Sequence, residues 1–145
     1  MTMTEDTGVK LGGAPGSRGR TTVADVVVEK IAGMAARDVL GVHALGSGFA
    51  RSMGSVRERM PGSDSGKSVR RGVSVEVGER QAAIDLEIVV DYGVSITDVA
   101  GAVRENVISA VERMAGREVV EVNILVSDVK LPDEEDEGEE RQRIQ

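Results

Sequence analysis

The stretch Ile84-Asp85-Leu86-Glu87-Ile88-Val89-Val90, running on into Asp91-Tyr92-Gly93-Val94-Ser95-Ile96, decides the fold. Ile84, Leu86, Ile88 and Val90 recur at every second position with Asp85 and Glu87 between them, the pattern of a strand with one covered face and one wet face. Tyr92-Gly93 reads as a turn. Ser95, with Asp98 three residues on, then marks a helix start, and Ile96, Val99, Ala100, Val103, Val107, Val111 and Met114 supply an apolar face at three- and four-residue spacing. Gly116 is the expected stop. A last strand follows, with Val120, Val122, Ile124 and Val126 expected inward and Glu121, Asn123 and Ser127 outward, before Pro132 ends regular structure.

Upstream of this unit, Val73, Val75 and Val77 alternate with Ser74 and Glu76, and Gly78-Glu79-Arg80-Gln81 supplies a hairpin turn. Gly41-Val42-His43-Ala44-Leu45 reads as a short strand ended by Gly46 and Gly48. Before it, Thr21 or Thr22 is the expected cap of a helix reaching about Arg37, with Val23, Val26, Val27, Ile31 and Met34 as its stripe. The order is α-β-β-β-α-β. Two helices with one stripe each can cover one face of a small, mainly antiparallel sheet, giving a two-layer α+β sandwich.

Composition sets the limits around that domain. A chain of 145 residues suits one domain with extra ends. Hydrophobic residues make up 40% of it but aromatics only 1%, so the core falls to Val, Ile, Leu, Ala and Met. Burying each larger aliphatic side chain is worth about 1.5–3 kcal/mol, enough in sum to offset ordering entropy without staples. With 0 cysteines there are no disulfides, thiolate zinc sites or iron–sulfur clusters, and a reducing cytoplasm is the expected compartment. No apolar segment follows the first charges, so no signal peptide is expected. The apolar runs fall far short of the roughly 20 residues a bilayer span needs, which excludes direct insertion.

The net charge of −7 is unevenly spread. Residues 1–20, rich in Gly and Thr, read as a flexible leader, and 21–131 as the domain. Inside it, 46–71 is a Gly- and Ser-rich basic loop in which Arg51, Arg57, Arg59, Lys67, Arg70 and Arg71 outweigh Glu58 and Asp64. Residues 132–145 carry an acidic run from Asp133 to Glu140 without apolar periodicity, expected to be disordered.

No residue set for covalent chemistry emerges, and no catalytic, metal or cofactor residues are expected. His43 is the single histidine, so neither a His-pair metal site nor a His-based nucleophile system with a second histidine can form around it, and a structural role in a short strand is expected. Asp85 and Glu87 share one strand face, where a solvated role outweighs acid–base work. Asp91 and Asp98 bracket a turn and a helix start, where a carboxylate is favoured by about 0.3–1 kcal/mol. Gly62-Ser63-Asp64-Ser65-Gly66-Lys67-Ser68 ends like a phosphate-binding loop but misses its first glycine by one residue and leads into a strand rather than a helix. Met53 and Met60 offer an adaptable contact surface only sparsely.

A small α+β domain with an arginine-rich loop also suggests a nucleic-acid-binding module, the alternative reading. RNA readers of this build stack bases on sheet aromatics, each worth about 1–3 kcal/mol. Here Phe49 and Tyr92 are the only aromatics, and the expected outer face carries Glu76, Asp85, Glu87 and Glu121, which repel phosphate. Specific nucleic-acid binding is therefore not expected.

Two blocks carry a family resemblance. Gly19-Arg20-Thr21-Thr22-Val23-Ala24-Asp25-Val26-Val27-Val28-Glu29-Lys30-Ile31-Ala32, continuing to Val39-Leu40-Gly41-Val42, is similar to the opening helix and Gly-Val turn of the alkaline shock, or Gls24-type, envelope stress response proteins. Gly72-Val73-Ser74-Val75-Glu76-Val77-Gly78, the strand to Asp91-Tyr92-Gly93, Val111-Glu112-Arg113-Met114-Ala115-Gly116 and Val119-Val120-Glu121-Val122-Asn123-Ile124 resemble the same family in order and spacing. The match spans the expected domain and excludes the leader, basic loop and tail. The resemblance implies a cytoplasmic protein of the cell-envelope stress response with no established catalytic site, some relatives being held at the membrane by a separate anchor protein; with no residue set for covalent chemistry, the expected function is that of a non-enzymatic interaction or scaffolding domain in envelope maintenance. Its expected partners are proteins, among them a membrane anchor protein holding it peripherally at the inner face of the cell membrane, and a second copy of itself.

Overall fold

The computed structural model describes residues 13–46 and 71–134. Pro15–Ser17 form a short exposed 3-10 turn, followed by α1 (Asp25–Arg37), β1 (Val42–Leu45), β2 (Val73–Val77), β3 (Gln81–Asp91), α2 (Ile96–Ala115) and β4 (Glu118–Lys130). The expected order and the α+β class hold. Residues 47–70, with all the Arg and Lys of the basic loop except Arg71, and 135–145 of the acidic tail lie outside the described residues, as do residues 1–12.

β3 organises the sheet because it is long, apolar on one side and paired along both edges. One edge takes β2 over Ala82–Leu86 and β1 over Ile88–Val90, both antiparallel. The other edge takes β4 in parallel along its whole length. The sheet is thus mixed: the hairpin at Gly78–Gln81, closed by a 2.8 Å bond from Gly78 N to Gln81 O, gives antiparallel pairing, while α2 crosses over and returns the chain in parallel.

Both helices cover the same face. Val28, Ala32, Ala35 and Ala36 of α1 and Val99, Val103, Val107, Val111 and Ala115 of α2 pack on Ile84, Leu86, Ile88 and Val90 of β3 and on Val119 and Val122 of β4. The buried α2 residues recur every four positions, a row that keeps one edge of the helix on the sheet. Ser95 caps that helix by accepting from Asp98 N at 3.4 Å, and Gly116, at φ 67°, ends it in the left-handed conformation. Asn106 Nδ2 donates to Ala35 O at 2.7 Å and ties α2 to α1.

Four local expectations need correction. The α1 cap is Ala24, without a side-chain hydrogen bond, rather than Thr21 or Thr22. The α1 stripe is rotated: Val27 and Met34 are exposed, and the buried row is Val28, Ala32 and Ala35. Both rows satisfy the helical period, and the row of smaller residues faces inward where α1 lies close to α2. In β4, Val119 is buried and Val120 exposed, because Val120 is an extra residue between the pairs Ala82↔Val119 and Ala83↔Glu121. Such a bulge reverses the in–out assignment on one side of it. A second register shift falls at Ser127. Ile96 and Met114, at the two ends of α2, are also exposed rather than part of the core.

Candidate interaction surface

The sheet face opposite the helices is a set of cross-strand rows fixed by the register. Glu76, Ala83 and Glu121 form one row; Ser74, Asp85 and Asn123 the next; Glu87 and Leu125 the third; Ala44, Val89 and Asp128 the fourth; Asp91 and Lys130 the last. This is the period-2 complement of the helix-side set, and although Val89 in it is buried, the carboxylates named from sequence, Glu76, Asp85, Glu87 and Glu121, do come together here. Asp128, which the simple alternation missed, joins them because the Ser127 shift re-aims the end of β4.

Asn123 organises the centre. Its Nδ2 donates to Asp85 Oδ1 at 2.9 Å and also to Glu121 Oε2, so one amide gathers two carboxylates from neighbouring strands. Leu125, 60% exposed, stands beside them. A shallow depression of about 340 Å³ lined by Gly72, Ser74, Asp85, Glu87 and Leu125 crosses the middle of the face. A second, of about 510 Å³, lies at the hairpin end and includes Glu76, Ala83, Val120 and Asp25. The surface therefore presents negative charge around a few apolar side chains, suited to a partner surface with positive charge and apolar knobs.

The other residues weighed from sequence fall elsewhere. His43 lies at the irregular rung of β1, with Nδ1 3.6 Å from Asp91 Oδ1, a contact joining β1 to the end of β3. Asp98 serves the α2 start. Tyr92 is at the end of the sheet, not on its open face, and Phe49, Met53, Met60 and the Gly62–Ser68 segment lie outside the described residues. Among the described residues, no group of three or more His, Asp or Glu is placed to hold a metal ion, and no helix is long and apolar enough to cross a membrane.

The free edge of β4 is partly covered by α2. Arg104 Nε donates to Val122 O at 3.2 Å, and Glu112 Oε2 accepts from Val119 N at 3.1 Å. These bonds satisfy backbone groups that would otherwise template another strand. Neither contact carried a sequence signal, since each depends on which turn of α2 faces the edge.

Fold and surface together define a class: a two-layer α+β domain whose helices close one side of a mixed sheet and whose other side is an open acidic face. Residues 14–131 match the alkaline shock protein family, described as having a cell envelope-related function, and the chain belongs to that family. It is 35% identical over 117 residues to the stress response regulator gls24 homolog of Streptococcus pyogenes, covering 81% of this chain but 62% of the relative. It is also 34% identical over 113 residues to the uncharacterized protein YqhY of Bacillus subtilis, covering 78% of each, and 29% identical to YloU of the same organism over 78% of this chain and 90% of the relative. The chain thus spans less than two thirds of the length of the streptococcal relatives. No solved structure gives a significant match.

Proposed function

We propose that the chain is a non-enzymatic interaction or scaffolding domain in cell-envelope maintenance and stress response, acting through protein partners. The observation that carries this reading is the open face. A one-layer helix cover leaves the carboxylates Glu76, Asp85, Glu87, Glu121 and Asp128 displayed on a rigid sheet, with Leu125 exposed among them. The family's envelope-related description and the stress-response name of the streptococcal relatives support the biological setting. In this reading the protein works on the cytoplasmic side, and any hold on the membrane comes from a partner.

The same face argues against the nucleic-acid alternative. Phosphate contact needs cations to release counterions, and base stacking needs aromatics; the described residues of the open face supply no aromatic and, apart from Lys130 at its far end, no cation. The test pairs two measurements. Titration of the full chain with single-stranded RNA and duplex DNA at physiological salt should show no submicromolar binding, while affinity capture from membrane and soluble fractions should retain a defined protein that resists a salt wash. Tight, sequence-dependent nucleic-acid binding without protein capture would overturn the proposal.

A further inference from the structure

Nine large hydrophobic side chains are exposed among the described residues, and four of them, Leu40, Tyr92, Ile96 and Leu131, gather at one end of the sheet. Their grouping follows from the register. Gly41, Asp91 and Lys130 form the last rung across β1, β3 and β4: Asp91 N donates to Gly41 O at 2.9 Å, Asp91 pairs with Lys130, and Tyr92 N donates to Lys130 O at 3.0 Å. The next residue beyond that rung on each chain segment is Leu40, Tyr92 and Leu131. Adjacent strands are about 4.8 Å apart at that rung, so the three residues leave the sheet on neighbouring chain segments. They are 95%, 65% and 45% exposed. Ile96, 47% exposed, opens the α2 turn that brings Val99 against Gly41.

Single exposed apolar residues are ordinary, but several grouped at one end of the sheet and rimmed by charge mark a contact site. The rim here is acidic: Asp38, Asp91, Asp98, Asp133 and Glu134 are all exposed, against Arg37 and Lys130 as the nearby cations. We propose that this sheet end is a second docking site, separate from the open face, and that it takes an amphipathic segment of a partner protein whose apolar side chains are flanked by Lys or Arg. The apolar group supplies the desolvated centre, and the acidic rim supplies selection by charge. The proposal rests on the reading of the chain as an interaction domain but not on the open face being the surface used.

The chain has one tyrosine and no tryptophan, so its intrinsic emission reports on Tyr92 alone. The full chain is titrated with three synthetic peptides: leucine–lysine amphipathic, leucine–glutamate with the same apolar spacing, and serine–lysine with the same charges. The leucine–lysine peptide should bind saturably, change Tyr92 emission, and bind at least tenfold more tightly than the other two. Leu40→Ser with Leu131→Ser, in a variant that still unfolds cooperatively, should weaken it at least tenfold. Equal binding of the leucine–glutamate or serine–lysine peptide would overturn the proposal. If Asp85→Lys abolishes binding while the sheet-end variant binds normally, this site is excluded and the open-face reading stands. If neutralising Arg51, Arg57 and Arg59 alters Tyr92 emission with no peptide present, the occupant is the chain's own basic segment and the partner proposal falls.

Discussion

Gly46 and Gly72, far apart in sequence, meet opposite Glu87 and share the work of one strand residue. Gly46 N donates to Glu87 O at 2.7 Å, and Glu87 N donates to Gly72 O at 2.8 Å, the two bonds that a single residue would exchange in an antiparallel pair. A Cβ on Gly72 would lie 2.5 Å from Gly46 N, so only glycine permits the approach. Leu45 pairs with Ile88 before them and Val73 with Leu86 after them. β1 and β2 are therefore one edge strand interrupted by an insertion.

Deleting residues 47–72, which joins Gly46 directly to Val73, should restore a continuous strand in the same register. The variant should unfold cooperatively, with stability equal to the parent or higher by up to about 3 kcal/mol, the closure cost of a loop of that length. Chemical denaturation checks it; a chain that no longer folds would show that the insertion is part of the domain's structure.

Gly41 and Gly93 both have φ near 100° but differ in surroundings. A Cβ at Gly41 would meet Val99 Cγ2 at 2.8 Å, whereas Gly93 has open space. Gly93→Ala should cost about 1 kcal/mol for backbone strain alone, and Gly41→Ala clearly more, about 2–4 kcal/mol, from strain plus overpacking. Thermal melts of the two variants side by side test this ordering.

Leu86, 3% exposed at the centre of β3, and Glu87, on the opposite face, test the alternation itself. Leu86→Asp buries an unpaired carboxylate and should abolish folding; Glu87→Lys should fold with a change under about 1 kcal/mol. Similar stability for the two would mean that the covered face is assigned wrongly.

The α2–α1 bond gives a smaller, separable effect. Asn106→Ala removes the donor to Ala35 O and should cost about 1 kcal/mol in equilibrium denaturation. No change would mean that solvent replaces the bond fully.

The long regular patterns were legible in the sequence because each rests on a local period. Ile84 to Val90 gave β3 and its wet face, and Ser95, Val99 to Val111 and Gly116 gave α2 with both ends. What failed was where two local answers were equally good or where an extra residue broke the period. Val27 and Val28 each start an acceptable helical stripe, and only packing against α2 chooses between them. Val120 looks inward until the bulge beside it is known. The parallel pairing of β3 with β4, the meeting of Gly46 with Gly72 and the grouping of Leu40, Tyr92 and Leu131 are relations between distant segments. No window of sequence contains both partners. The acidic open face was readable from Asp85 and Glu87 outward, except for Asp128, which the Ser127 shift carries onto it.

A photo-crosslinking residue placed at Leu125, in the middle of the open acidic face, and at Glu105, exposed on α2, shows whether that face meets a protein partner. In cells under envelope stress, illumination should join the Leu125 variant to a discrete protein, and Asp85→Lys with Glu121→Lys should remove that product while leaving the domain folded. The Glu105 variant should give no such product. Equal crosslinking from both positions, or a Leu125 product that survives the charge reversals, would show that the open face is not the partner surface.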